Sequence, residues 1–148
     1  MTGLRHLDAA AARDAARRAA ICLAEDPRVQ LVYLFGSAAD SAQDTVRDVD
    51  IAIQSEPPLS FDELLRLRAD AVAAAGAPLD LISLNEASVV LAHEVADSGE
   101  CLYARTSDAE VDFVTRARAR YWDFRPLLDA QWELAGERMK ERRRGAPT

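Results

Sequence analysis

Two aspartates separated by one residue stand just ahead of a short apolar run: Asp48-Val-Asp50, then Ile51-Ala-Ile53. Side chains alternate along an extended chain. Both carboxylates therefore fall on one face, their Cα atoms roughly 6.5 Å apart, with Val49, Ile51 and Ile53 opposite. A third acid, Asp80, lies inside the apolar run Leu79–Leu84. Aspartate is disfavoured in strands, and an unpaired carboxylate among apolar residues is costly. Three acids on neighbouring strands repel, so protonation or a bound cation must compensate. Hard oxygen donors in this arrangement suit Mg²⁺, which takes one or two carboxylates together with substrate phosphates. The ordinary alternative is that Asp48 caps a turn and Asp80 meets a backbone N–H or an arginine. Gly36-Ser37 directly follows another apolar run. Glycine lets the backbone approach a phosphate closely, and the serine hydroxyl and N–H can donate to one. The same dipeptide is also a common turn.

The elements that must hold these residues can be read along the chain. Leu7 to about Glu25 is rich in Ala and Arg, free of Gly and Pro, and ended by Asp26-Pro27, which predicts a helix. Val29–Phe35 predicts a strand buried on both faces. Residues 38–47 predict a loop or short helix, and Val49–Ile53 a second strand. Ser60 with Glu63 forms a capping box for a helix to about Ala75, closed by Gly76. Leu79–Leu84 predicts a third strand. Asn85 is positioned to cap a helix to about Asp97, with Gly99 ending it, and Cys101–Ala104 predicts a short fourth strand. Ser107 with Glu110 is a second capping box, opening a long C-terminal helix. This order describes an α/β (α+β) domain built on a small sheet with helices packed against it.

The 148 residues fit one domain able to bury roughly 70% of its unfolded surface. Hydrophobic residues make up 49% and charged residues 29%, which argues against disorder. The net charge of −7 disfavours a general nucleic-acid binder. It is concentrated in residues 29–107, which carry four Arg against thirteen acids; the flanks are nearly balanced. No apolar run approaches the roughly 20 residues of a membrane span, and charges interrupt the N-terminal stretch where a signal peptide would need an apolar core. Cys22 and Cys101 cannot form a disulfide framework, and no Cys/His cluster has zinc spacing. A cytoplasmic protein without membrane association is expected.

The full order is more specific than its parts: apolar strand, Gly36-Ser37, ten residues, Asp48-x-Asp50, apolar strand, then Asp80 in a third strand. It resembles the nucleotidyltransferases of the DNA polymerase β superfamily, and in particular the minimal nucleotidyltransferases that include the MntA-type antitoxins. Leu91–Val95, Gly99–Tyr103 and Phe113–Pro126 resemble that group's downstream segments, so the likeness spans about residues 10–127. It implies a small mixed nucleotidyltransferase sheet, a single domain over 1–148, and a helical extension from about residue 128. It implies Asp48, Asp50 and Asp80 as metal-binding and catalytic carboxylates, with Gly36 and Ser37 on the nucleotide's phosphates. The cofactors implied are Mg²⁺, two ions by analogy, with ATP as substrate. The reaction implied is transfer of AMP from ATP to a hydroxyl, that of a tyrosine, on a partner HEPN-family ribonuclease toxin, which is thereby neutralised. Many relatives carry an Arg and a Gly after Gly-Ser and a Ser before the Asp pair. Here Ala38-Ala39-Asp40-Ser41 and Arg47 stand there. Two alternatives follow: an antitoxin with weak or no catalysis that acts by complex formation, and a nucleotidyltransferase for a small molecule such as an antibiotic. The absence of a substrate domain argues against the latter.

On the C-terminal helix, Ala117, Tyr121, Phe124, Leu128, Trp132, Ala135 and Met139 recur at steps of three and four, forming one apolar stripe. Pro126 should kink or break the helix. Ala117 to Phe124 suit the core. Trp132 and Met139 suit either intramolecular packing or a groove on the toxin or a second copy. Lys140–Arg144 predicts a solvated basic end. Tyr33, Tyr103 and the two cysteines are assigned to packing, His93 reads as a partly buried or surface histidine in mid-helix, and His6 takes no role.

Overall fold

A computed structural model describes residues 7–39, 45–46 and 48–145 of the chain. Its elements in order are β1 (Leu7–Asp8), α1 (Ala9–Ala24), β2 (Val29–Phe35), a 3₁₀ turn (Gly36–Ala39), β3 (Thr45–Val46), β4 (Val49–Ser55), α2 (Phe61–Ala75), β5 (Leu79–Ser83), α3 (Val89–Ser98), β6 (Glu100–Ala104) and α4 (Ser107–Gly145). Four strands form a mixed sheet in the order β5-β4-β2-β6. β2 runs antiparallel to both neighbours, while β4 and β5 are parallel. This is the α+β arrangement that the order of patterns predicts.

Each sheet face has its own apolar core. One joins Val32, Leu34, Val49, Ile51 and Ile53 to α1, which contributes mainly alanines, and to α2. Ala12, Ala15, Ala16, Ala19 and Ala20 let α1 lie close to the sheet, with Leu23 at its end. The other joins Leu31, Tyr33, Ala52 and Leu84 to Ala92 and Val95 of α3 and Phe113 and Ala117 of α4. β2 sends large side chains into both cores, so it is apolar without alternation. Arg18 donates to the carbonyl of Ala75 at 2.9 Å, tying α1 to α2. Arg28 bridges Asp26, at 2.8 Å, and Glu63.

Several boundaries differ from expectation, each for a local reason. Helix α1 starts at Ala9, because the Asp8 side chain accepts from the Ala11 N–H at 2.7 Å and acts as its N-cap. Leu7–Asp8 pairs with Thr45–Val46 as a two-stranded ribbon, a pairing too short to leave a periodic signature. Of the predicted loop over 38–47, residues 40–44 and 47 lie outside the described residues. The Ser60–Glu63 capping box and the left-handed Gly76 are present as predicted. Asn85 does not cap α3; Ser88 does, accepting from the Leu91 N–H. The Asn85 amide instead accepts from the Ser55 N–H at 2.9 Å and donates to the Ser55 carbonyl at 2.8 Å. Thr106, one residue before the predicted Ser107, caps α4 through the Ala109 N–H.

Pro126 does not break α4, which continues to Gly145. Proline removes the bond to the carbonyl four residues back. Its neighbours Trp122, Arg125 and Leu127 are exposed, so water can satisfy the freed carbonyl. The stripe divides here. Ala117 is buried and Tyr121 stacks on His93 of α3, ring centroids 3.7 Å apart. Trp132 and Met139 are 74% and 67% exposed and have no intramolecular packing role. No helix among the described residues is long and apolar enough to cross a membrane.

Candidate active site

The site lies where β2 ends and β4 and β5 begin. Asp50 pairs in register with Phe35 of β2 on one side and Asp80 of β5 on the other. Directly paired residues share a face, so the Asp50 and Asp80 side chains leave the sheet on the same side. That side is the one covered by α3 and α4, since Ala52 and Ile82, each two residues on, join that core. Val49, Ile51 and Ile53 fill the opposite core, as alternation requires. Asp48 sits partly buried immediately before β4.

Gly36 carries the chain over Asp50. Its φ is +72°, a conformation costly for any residue with a Cβ. A Cβ built there would stand 2.5 Å from Oδ2 of Asp50. Glycine is therefore required twice over: for the left-handed turn and for the approach to the carboxylate. The expected approach to a phosphate is thus preceded by one to the protein's own acid. Ser37 follows in the 3₁₀ turn, and its side chain lies outside the described residues, as does Arg47.

The electrostatics follow the geometry. Burial is the main cause pushing the Asp50 carboxyl above the usual carboxylate range, with Asp80 and then Asp48 adding to it. Neighbouring acids thus disfavour ionisation of Asp50 in the metal-free protein.

Asp80 departs from the expectation of a carboxylate hidden in an apolar run. β5 is an edge strand, and the Asp80 side chain is 60% exposed. Its Oδ1 meets Nη2 of Arg68 at 3.5 Å, while Arg68 Nε donates to the Leu79 carbonyl at 3.2 Å. Arg68, on α2, is the residue that sequence reading missed at this site. Nothing in the spacing of Arg66 and Arg68 marks it; only the packing of α2 on β5 brings it there.

Asp48, Asp50 and Asp80 are therefore gathered at one corner of the sheet. Among the described residues, however, no three Asp, Glu, His or Cys side chains converge to chelate a single ion. The donor set still fits Mg²⁺, which needs only one or two protein carboxylates when phosphates supply other ligands. The elevated Asp50 carboxyl is what a cation at this corner would reverse.

His93 is a stacking residue in the α3–α4 contact. Cys22 and Cys101 are free and partly buried, and burial raises both thiols above their ordinary range. A raised thiol is a poor nucleophile, which agrees with their assignment to packing.

Comparison with known proteins places this corner in context. Over 85 residues the chain is 33% identical to the protein adenylyltransferase MntA of Shewanella oneidensis, a match covering 57% of this chain and 61% of that relative. A crystal structure of a toxin–antitoxin with AMP-PNP superimposes with a TM-score of 0.69 at 28% identity, covering 80% of this chain and 97% of the other. A rebuilt structure of tri-AMPylated Shewanella oneidensis HEPN toxin in complex with MNT antitoxin superimposes at 0.57 and 25% identity, covering 79% and 96%. Residues 20–108, which contain Gly36, Asp48, Asp50 and Asp80, match the polymerase beta nucleotidyltransferase family, and the chain belongs to that family.

Proposed function

We propose that this chain is an antitoxin-type nucleotidyltransferase that transfers AMP from ATP to a hydroxyl, that of a tyrosine, on a HEPN-family ribonuclease toxin in the cytoplasm. The observation that carries this reading is the sheet corner that gathers Asp48, Asp50 and Asp80, with the Gly36 turn lying against Asp50. The AMP-PNP-bound relative supports ATP as the donor, and the AMPylated toxin beside a relative supports a protein acceptor.

In this reading Asp48 and Asp50 hold Mg²⁺, which when bound neutralises phosphate charge and stabilises the entering and leaving oxygens. Gly36 and Ser37 present backbone N–H groups to the phosphates. The acceptor oxygen forms a bond to the α-phosphorus, the bond to pyrophosphate breaks, and the acceptor proton passes to Asp80. Arg68 orients that carboxylate. Its exposure on an edge strand suits an acceptor carried by a macromolecule, because nothing in the described fold encloses it. The catalytic unit is a single domain, and α4 beyond about residue 128 is an extension of it.

The test is the intact mass of a HEPN-family protein co-expressed with this chain. Wild type is expected to add AMP, while the Asp48→Asn, Asp50→Asn double variant adds none. The pairing of Asp80 with Arg68, away from a chelating arrangement, favours one other reading, neutralisation by binding alone. A partner that co-purifies unmodified with both forms would establish that reading instead.

A further inference from the structure

The two acids of the Asp48-Val-Asp50 pair are held in place by different means. Asp50 is fixed by the sheet itself, in register with Phe35 on one side and Asp80 on the other. Asp48 lies just before β4, outside the ladder. Val49 follows it in the sheet. On its other side the chain is tied down two residues back, where Thr45–Val46 pairs with Leu7–Asp8. Two residues of chain span at most roughly 7 Å, so the Val46 pairing leaves Asp48 little freedom. Without that pairing, the nearest upstream anchor among the described residues is the 3₁₀ turn ending at Ala39. The chain from there to Asp48 can reach roughly 30 Å.

The ribbon is too small to stand alone. It has two residues a side, and even a longer isolated two-stranded ribbon is marginal in water. Asp8 fastens it to the domain. The Asp8 side chain accepts from the Ala11 N–H at 2.7 Å and caps α1. A helix cap takes an extended backbone, and Asp8 has φ −68° and ψ 158°. The conformation that caps the helix is therefore the one that pairs with Thr45. Helix α1 is itself anchored through Ala12, Ala15 and Ala16 in the core that also holds Ala38. One helix thus holds the chain at Ala38, shortly after Gly36, and at Thr45–Val46, shortly before Asp48.

We propose that Asp8 is a positioning residue for Asp48. By capping α1 it fixes the β1–β3 ribbon, and the ribbon fixes the direction in which the chain delivers Asp48 to the acidic corner. The proposal rests on the reading of Asp48 as a metal ligand.

The test is Mn²⁺ binding to the full-length chain, followed by loss of the free ion's paramagnetic resonance signal. Amide hydrogen exchange of residues 45–50 is measured alongside. Asp8→Ala removes the cap. It is expected to speed exchange in that segment and to weaken Mn²⁺ binding about tenfold, the lower range for loss of a group that orients a metal ligand. Asp8→Asn, an equally good cap, should restore both. Ser88→Ala is the structural control, because Ser88 caps α3, on the other face of the sheet. It should lower the thermal transition as Asp8→Ala does, yet leave Mn²⁺ affinity and the exchange of residues 45–50 unchanged. In an Asp48→Asn background, Asp8→Ala should have no further effect on Mn²⁺. Equal affinity or equal exchange in wild type and Asp8→Ala would overturn the proposal. So would an effect of Asp8→Ala that persists without the Asp48 carboxylate, or one that Ser88→Ala reproduces. Those failures leave wild type binding Mn²⁺. Wild type that binds none would overturn the reading of Asp48 as a ligand, and the proposal with it.

Discussion

Asp50 and Asp80 are adjacent in register yet live in different environments. Asp50 is half-buried on an interior strand, pressed by Gly36 and raised by burial. Asp80 is on an edge strand, largely in water, and already has an arginine. The charges acting on the first acid are those of other acids, whereas the second faces water and Arg68. That difference separates the roles proposed for them: Asp50, with Asp48, as the metal-binding pair, and Asp80 as an accessible proton acceptor near the substrate.

Substitutions can break or sharpen this contrast. Asp48→Asn or Asp50→Asn should lower AMP transfer by about a thousandfold or more, as loss of a principal electrostatic stabiliser does; a quantitative transfer assay checks it. Asp80→Asn should cost about a hundredfold, the lower range for a general base. Equal losses at Asp50 and Asp80 would erase the distinction. Gly36→Ala forces a Cβ onto Asp50 in a left-handed turn and should destabilise the protein by about 1–3 kcal/mol, seen as a lowered denaturation midpoint. Arg68→Ala should lower kcat a few-fold with little change in the KM for ATP, because it acts only through Asp80.

The contrast also predicts opposite stability effects. Asp50→Asn removes a carboxylate held at a cost and should raise the melting temperature of the metal-free protein. Asp26→Asn should lower stability by about 1–2 kcal/mol, since Asp26 accepts two side-chain hydrogen bonds from Arg28. Those bonds are the main cause lowering the Asp26 carboxyl below its ordinary range. Its contribution is therefore complete above the ordinary aspartate value and is lost as pH falls through the lowered one. Below that, wild type and Asp26→Asn should converge in thermal denaturation measured against pH.

Much of this corner was legible in the sequence because it depends on short-range regularities. Alternation alone places Asp48 and Asp50 on one face, and an apolar run ending in Gly-Ser marks where the chain must turn. What was not legible depends on which strands neighbour one another. Asp80 sits in an apolar run like those of buried strands, yet the order β5-β4-β2-β6 puts it on an edge. Arg68 lies twelve residues away, and only helix packing brings it close. Asn85 has the side chain of a helix cap but was taken by a strand end, leaving Ser88 to cap. Trp132 has the spacing of a core residue, but the domain ends before the helix does.

The hydrogen bonds between Asn85 and Ser55 bear on the proposed chemistry from the far end of the strand. Both main-chain polar groups of Ser55 are taken by one side-chain amide, which imitates a further rung of the β4–β5 ladder. A slip of one residue in that ladder would turn Asp80 to the opposite side of the sheet, into the core packed by α1 and α2. Asn85 therefore acts as a register pin. The alignment of the third carboxylate with Asp50 is set five residues away, roughly 16 Å along the strand, by a residue that touches none of the chemistry.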